Sequence, residues 1–167
     1  MNRREFLTKV IPAAVIGSTV GCSNKESSPA ANAEGPEIHW RLASSFPRSL
    51  DIIYGAAETM SKYVAAMTGN KFQIRVYPGG EIVPALQVLD AVQNGTVAMG
   101  HTASYYYTGK NSALAFDTSV PFGLTARQQN AWLSAGGGLE LINEVLSDFN
   151  IRSFPGGNTG VQMGGWF

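Results

Sequence analysis

The sequence from residue 38 to residue 77, IHWRLASSFPRSLDIIYGAAETMSKYVAAMTGNKFQIRVY, holds a long amphipathic segment between two alternating ones. Apolar and polar residues alternate at 38–43 and again at 72–77, which predicts two β-strands. Between them, apolar residues recur at three- and four-residue steps. This spacing predicts a helix with Ser49 as its N-cap and an end near Gly69 and Asn70. Strands that alternate with helices indicate a mostly parallel α/β sheet.

The same alternation continues downstream. Gly136, Gly137 and Gly138 interrupt the longest apolar-periodic segment, so we expect that helix to be kinked or split there. The predicted elements are helices at 84–93 and 125–149, and strands at 96–103, 151–154 and 160–167. The predicted fold class is α/β, with a mostly parallel sheet flanked by helices.

Three segments are predicted to follow strands, at 44–48, 103–107 and 155–159. In parallel sheets ligands bind outside the carboxyl ends of the strands. These segments are rich in Gly, Ser, aromatic or amide residues, which suits a small polar ligand. We expect alternate rings of the tyrosine run at 105–107 to face opposite ways, with Tyr106 favoured for the cleft.

Two amides in the C-terminal region are candidates for the same site. Asn158 and Gln162 lie in a Gly-rich stretch, and such side chains hold ligands or offer an oxygen to a hard cation. Making a turn is the alternative role for Asn158.

The composition narrows the classes of function. The chain has 167 residues, 44% hydrophobic and 14% charged, unlike a disordered polymer, a collagen-like repeat or a coiled coil. Twelve basic and twelve acidic residues give zero net charge, without a basic cluster beyond Arg3 and Arg4, which argues against nucleic-acid binding. The single cysteine, Cys22, excludes an intramolecular disulfide and a Cys-rich metal site.

Catalytic motifs are missing from the sequence. It holds no GxSxG elbow, Walker loop or HExxH motif. His39 and His101 fall on predicted strands without an acid beside them, so we interpret both as satisfied sheet histidines. The candidate nucleophiles Ser44, Ser45 and Ser104 are expected to lack a histidine partner. Glu140 and Glu144 are expected on a solvated helix face.

The first 21 residues have the layout of an export signal, with basic residues followed by an apolar run at 10–20. Eleven residues are too few to span a bilayer core of about 30 Å. RREFLTK at 3–9 resembles the twin-arginine motif, and TVGC at 19–22 resembles a lipobox in which Cys22 is lipidated. Thr19 departs from the usual Leu, so cleavage near 30–33 is an alternative. Residues 22–36 are expected to be a flexible tether.

Three longer motifs carry a family resemblance: LASSFP at 42–47, GGEIVPALQVLDAVQNGT at 79–96 followed by MGHTASYYY at 99–107, and PGGNTG at 155–160 followed by QMGGWF at 162–167. Together they resemble the extracytoplasmic solute-binding proteins of tripartite ATP-independent periplasmic (TRAP) transporters. The branch they resemble binds 2-oxo acids such as pyruvate, or lactate, together with a metal ion.

The resemblance implies a periplasmic-binding-protein-like (type II) lobe of a two-lobed cleft that captures an organic anion for a membrane permease, without catalysis. Residues 37–160 would form the first lobe, and 161–167 a hinge strand that enters a second lobe missing from this chain. The implied location is the periplasm or the extracytoplasmic face of a bacterial membrane. Members of the family are about twice as long, so their carboxylate-clamping arginine and acidic metal ligands have no counterpart here.

The resemblance also implies roles for individual residues. Gln162 would bridge the ligand carboxylate and a sodium or calcium ion. The positions that would line the cleft are Phe46, Ala103, Ser104 and Tyr106. Two alternatives stay open on the residues alone: an exported α/β enzyme that acts on a small carboxylic acid, and a membrane-tethered protein-interaction module.

Overall fold

A computed structural model describes residues 36–118 and 120–160. The predicted export signal at 1–21, nearly all of the tether and the hinge strand at 161–167 lie outside the described residues. Cys22 and Gln162 lie there too. No helix within the described ranges is long and apolar enough to cross a membrane.

Three parallel strands form the sheet, in the order β2-β1-β3. They are β1 (Ile38–Ser44), β2 (Phe72–Tyr77) and β3 (Met99–His101). β1 pairs with β2 along its length, with Ile38 opposite Phe72 and Ala43 opposite Tyr77. β3 pairs only with the last residues of β1, where Ser44 lies opposite His101. The predicted parallel sheet is confirmed, and β1 is its central strand.

The described helices are α1 (Asp51–Met67), α2 (Val88–Gln93), α3 (Ala126–Ala135) and α4 (Gly138–Ser147). The predicted split at the glycines is confirmed, because α3 ends at Ala135 and Gly137 adopts a φ of 80°. Single 3₁₀ turns occur at Ala85–Gln87, Ser104–Tyr107 and Ser112–Ala115. Thr125 and Gln128 form a capping box that fixes the start of α3.

The N-cap of α1 differs from the prediction. Leu50, and not Ser49, occupies this position, and its side chain makes no capping hydrogen bond. Asp51 in the first turn accepts a hydrogen bond from the N–H of Ile52 at 2.9 Å. A carboxylate at this place is favourable because it faces the positive end of the helix dipole.

Apolar clusters cover both faces of the sheet. On one face, Leu42 and Ile74 pack with Ala57 of α1. On the other face, Ala43 packs against Val88 and Ala91 of α2, together with Val83 and Val97. A third cluster joins Leu89 of α2 to α4 and to the 3₁₀ turns, through Tyr107, Leu114, Ile142 and Leu146. α2 therefore lies between the sheet and α4.

Two predicted strands are wrong in extent or kind. The strand predicted at 96–103 is reduced to Met99–His101, because β1 offers it partners only at Leu42–Ser44. The segment 151–154 joins no sheet within the described residues. Its Ser153 is held instead by the side chain of Asn143, which accepts from the Ser153 N–H at 2.7 Å and donates to its carbonyl at 3.2 Å. The side-chain amide of Asn143 thus forms the hydrogen bonds to the Ser153 backbone that a neighbouring strand would otherwise form.

The amino-terminal half of β1 and β2 borders a groove of about 440 Å³. The register places Arg41 directly beside Arg75 in this groove. Arg41 donates to the carbonyl of Thr96 at 2.7 Å, and the Arg75 guanidinium lies 4.9 Å from the centre of the Tyr77 ring. Within the described ranges neither arginine forms an ion pair with a carboxylate.

Gly100 of β3 approaches α2 so closely that we expect the variant Gly100→Ala to be destabilised. An added Cβ would lie 2.7 Å from Cγ1 of Val88 and 3.0 Å from Cγ2 of Val92. Overpacking of this kind costs about 1–3 kcal/mol in the free energy of unfolding. Urea unfolding followed by circular dichroism measures it.

Gly55→Ala is the matched control, because open space surrounds this position inside α1. Alanine there should stabilise the protein by about 0.5–1 kcal/mol through its higher helix propensity. A Gly100→Ala protein as stable as the parent would contradict the close packing of β3 on α2.

Candidate functional site

The carboxyl ends of β1 and β3 meet at one edge of the sheet. The Ser45 N–H donates to the carbonyl of His101 at 2.8 Å, one residue beyond the last strand pair. The turn after β2 joins them, since the Gly79 N–H donates to the carbonyl of Phe46 at 3.0 Å. The predicted place of segments 44–48 and 103–107 at the carboxyl ends of strands is confirmed. Segment 155–159 follows no strand in the described part of the chain, so its predicted place at a strand end is wrong.

Four hydrogen bonds in series hold this edge on α2. The Leu89 N–H donates to the Tyr107 hydroxyl at 3.3 Å, and that hydroxyl lies 2.9 Å from Oγ1 of Thr102. Oγ of Ser45 lies 2.6 Å from Thr102 Oγ1 and 2.6 Å from the carbonyl of Ala85. We call this series the hydroxyl chain.

The donors in the hydroxyl chain are known at both of its ends. Oγ of Ser45 is the donor in both of its contacts, so its single proton is shared between the carbonyl of Ala85 and Oγ1 of Thr102. At the other end the Leu89 N–H donates to the Tyr107 hydroxyl, and either oxygen of the Thr102–Tyr107 pair can be the donor. Tyr107 is 3% exposed and belongs to the core. Its role is therefore to support the edge.

Aromatic rings form the wall beside this edge. The ring centres of Phe46 and Tyr106 lie 6.3 Å apart, and those of Tyr105 and Tyr106 lie 4.5 Å apart. The expectation that alternate rings face opposite ways is wrong, because Ser104–Tyr107 is a 3₁₀ turn with about three residues per turn. Burial, followed by the hydrogen bond with Tyr105, raises the pKa of Tyr106 to about 12. Tyr106 therefore keeps its proton near neutral pH.

The statement that the candidate serines lack a histidine partner is wrong for Ser44. Its Oγ lies 3.2 Å from Nδ1 of His101. Neither residue is near the other in sequence, and only the strand register places them side by side. His39 also has an acid beside it, since its Nε2 lies 3.7 Å from Oε2 of Glu37 in an exposed pair. The Ser44–His101 contact could be predicted from the sequence only if the register of β3 against β1 were known.

Ser104 contacts a carboxylate that the sequence analysis did not single out. Its Oγ donates to Oδ1 of half-buried Asp117. Burial raises the pKa of Asp117, and the hydrogen bond from Ser104 opposes that rise. Because the Ser104 proton is committed to Asp117, this hydroxyl offers a ligand only its lone pairs. The described contacts therefore argue against Ser104 as a donor to an anion.

The remaining candidates are less closely connected to the edge. Ala103 is half-buried between β3 and the 3₁₀ turn. Asn158 uses its Oδ1 to accept from the Gly160 N–H at 2.7 Å, which is the turn-making role left open above. Glu140 and Glu144 are exposed, as expected. The described ranges contain no group of three or more His, Cys, Asp or Glu side chains that could hold a metal ion.

Arg48, just beyond β1, is already engaged by acidic side chains. Its guanidinium lies 3.7 Å from Glu81 and 3.9 Å from Glu58, and it also sits 5.5 Å from the centre of the Tyr54 ring. The exposed fractions of these three charged side chains are 62%, 41% and 45%, so each ion pair contributes at most about 1 kcal/mol. These contacts give Arg48 partners other than a ligand carboxylate.

Comparisons with known proteins agree on one family. The family model described as bacterial extracellular solute-binding protein, family 7, matches residues 43–167. A monocarboxylate 2-oxoacid-binding periplasmic protein of Nostoc sp. is 52% identical over 167 residues, which are all of this chain and 45% of the relative.

Solved structures give the same result. A TRAP transporter solute-binding protein from Bordetella bronchiseptica, with copurified calcium and picolinate, is 52% identical with a TM-score of 0.77. The match covers 80% of this chain and 40% of that protein. A TRAP periplasmic solute-binding protein from Pseudoalteromonas atlantica, with bound sodium and pyruvate, is 45% identical with a TM-score of 0.75, covering 78% of this chain and 40% of that one. The chain thus spans less than half the length of these relatives.

Thr102→Val tests the hydroxyl chain, because valine keeps the shape of threonine and removes the central hydroxyl. Ser45 and Tyr107 would each lose a partner at a largely buried place, which should lower the free energy of unfolding by about 1–3 kcal/mol. Thr108→Val is the control, since Thr108 is exposed just beyond the same turn. Equal urea midpoints for the two variants would rule out a stabilising role for the hydroxyl chain.

Ser104→Ala should raise the pKa of Asp117 further, because it removes the hydrogen bond that opposes the effect of burial. A folded-state pKa above the ordinary value means that the folded protein binds more protons than the unfolded chain. Stability should therefore fall as pH rises through that window, and the window should extend higher in the variant. Carboxyl ¹³C NMR of Asp117 against pH measures this, with exposed Ser134→Ala as control. An unchanged or lower pKa would contradict it.

Proposed function

The chain belongs to family 7 of the bacterial extracellular solute-binding proteins, and from this premise we propose that it captures a small 2-oxo or 2-hydroxy monocarboxylate for transport. It folds as a periplasmic-binding-protein-like lobe, a parallel sheet flanked by helices. The ligand would be taken with a metal ion and delivered to TRAP membrane permease subunits. The protein itself would catalyse no reaction.

The observation that carries this proposal is the carboxyl edge of the sheet. Phe46, His101 and Tyr106 meet there, with ring centres 5.1 Å apart for the first two and 6.3 Å apart for Phe46 and Tyr106. Ligands of parallel α/β sheets bind at such edges. Tyr106 is uncharged near neutral pH, so it does not repel an anion, and the Phe46 ring supplies an apolar wall.

We assign the following substrate-binding residues within this proposal: Gln162, Phe46, Ala103, Ser104, Tyr106 and Asn158. Phe46, Ala103 and Tyr106 form the wall. Ser104 would contribute as an acceptor, because its proton goes to Asp117. For Asn158 the side-chain NH₂ is the group offered, because Oδ1 is used in the turn.

A sodium or calcium ion accompanies the ligand in the two solved relatives. The described residues of this chain contain no group of three or more His, Cys, Asp or Glu side chains that would hold such an ion by themselves. Gln162 is the ligand that we propose from this chain, through its amide oxygen. The other ligands would come from parts of the longer protein that this chain does not span.

Location and anchoring follow from the same proposal. The Nostoc relative is named as a periplasmic protein. We propose that residues 1–21 direct export by the twin-arginine route, and that lipidation of Cys22 anchors the protein to the membrane. The enzymatic alternative has no support from the serine–histidine pair, because Ser44 is 1% exposed and so is shielded from a substrate.

Titration calorimetry on a chimera tests the proposed function. In the chimera, the 167 matching residues of the Nostoc relative are replaced by this chain, so that the rest of a complete protein is supplied. Pyruvate should bind in the presence of Na⁺ or Ca²⁺, and chelation or removal of the ion should weaken binding. Absence of pyruvate and lactate binding in a folded chimera would reject the proposal.

Gln162→Ala in the chimera should weaken pyruvate and metal binding together, by about 10- to 100-fold, since it removes a hydrogen bond to a charged ligand. Gln73→Ala, at an exposed position of β2, is the matched control and should bind as the parent does. Unchanged affinity for both ligands in Gln162→Ala would show that this site assignment is wrong.

A further inference from the structure

The contact between Ser44 and His101 determines which ring nitrogen carries the proton. Ser44 is 1% exposed, and its Oγ makes two hydrogen bonds. It accepts from the Phe46 N–H at 3.1 Å and lies 3.2 Å from Nδ1 of His101. A backbone N–H can only donate, so the first bond leaves the hydroxyl proton of Ser44 free for the second.

The opposite arrangement is less favourable. If Nδ1–H of His101 donated to Ser44, both contacts would use lone pairs of the same oxygen. The hydroxyl proton of Ser44 would then lack an acceptor among its described contacts, in a side chain shielded from water. A buried donor left without a partner costs about 1–3 kcal/mol. Nδ1 is therefore the acceptor, and neutral His101 carries its proton on Nε2.

The Nε2 atom of His101 is not fully shielded from solvent. Within the described residues every buried side-chain nitrogen or oxygen has a hydrogen-bond partner. Nε2 of His101 has no described partner and so is not buried. The ring lies at the end of β3, in edge-on contact with Phe46 at 5.1 Å between centres. Phe46 in turn faces Tyr106.

We propose that Ser44 fixes His101 as the Nε2–H tautomer, and that this N–H donates to a carboxylate or 2-oxo oxygen of the captured monocarboxylate. The proposal rests on the function proposed above and adds a residue to that site. Ser44 is a positioning residue, because it acts on the ligand only through the ring of His101.

Charge and hydrogen-bond chemistry at the edge agree with this role. Burial lowers the pKa of His101, so the ring is neutral near pH 7 and has one donor and one acceptor nitrogen. The Tyr106 proton is engaged by the hydrogen bond with Tyr105, and the Ser104 proton is directed to Asp117. His101 is then the donor beside Phe46 whose proton has no described acceptor, and Ser44 sets its position.

Long-range ¹H–¹⁵N NMR of the ¹⁵N-labelled chain at pH 7 tests the tautomer. Nδ1 of His101 should show the chemical shift of an unprotonated ring nitrogen, and Nε2 that of a protonated one. Comparison with a His39→Gln sample assigns the two histidines. In Ser44→Ala the two nitrogens should move toward averaged shifts. A protonated Nδ1 in the parent, or a parent-like spectrum in Ser44→Ala, would overturn the proposal.

Pyruvate titration of the chimera tests the donor. His101→Leu should weaken binding by about tenfold or more, whereas His101→Gln, whose amide nitrogen can replace Nε2, should restore most of the affinity. His39→Leu, at the exposed start of β1, should bind as the parent does. Parent-like affinity in His101→Leu would overturn this inference alone. A folded parent chimera that binds neither pyruvate nor lactate would instead overturn the proposed function.

Discussion

The hydroxyl chain from Leu89 through Tyr107, Thr102 and Ser45 to Ala85 is the constraint on which the candidate site depends. It joins the start of α2 to the ends of β1 and β3 through four hydrogen bonds. Phe46 follows Ser45 directly, and Tyr106 precedes Tyr107, so the positions of both rings follow from it. The hydroxyl groups of Ser45, Thr102 and Tyr107 therefore determine the positions of these two rings, although none of the three needs to contact the ligand.

Most of the fold could be predicted from the sequence, because its elements are long or strongly periodic. The 38–43 and 72–77 alternation corresponds to β1 and β2, and the glycine interruption separates α3 from α4. The errors fall where tertiary contacts outweigh local pattern. The segment 151–154 is predicted to be a strand, yet the amide of Asn143, and not a neighbouring strand, forms hydrogen bonds with the backbone of Ser153.

The sequence predicts which segments form the candidate site, but it does not predict the hydrogen bonds within the site. Phe46, Ala103 and Tyr106 could be placed at strand ends from their order along the chain. The partners of Ser44 and Ser104 could not, because His101 and Asp117 reach them through strand register and through a loop return. The spacing of these residues along the sequence does not indicate either contact. The hydrogen-bond partners also decide which groups can donate to a ligand, and Ser104 cannot, because its proton goes to Asp117.

The side-by-side arginines of β1 and β2 give the sheet an unusual response to ionic strength. Arg41 and Arg75 are neighbours in register, and like charges so placed repel each other. Dissolved salt screens this repulsion, so it should steady the amino-terminal half of the sheet. The exposed pair of Lys110 and Asp90, at 2.7 Å, responds in the opposite sense and weakens. Salt therefore acts in opposite senses on the Arg41–Arg75 repulsion and on the Lys110–Asp90 attraction.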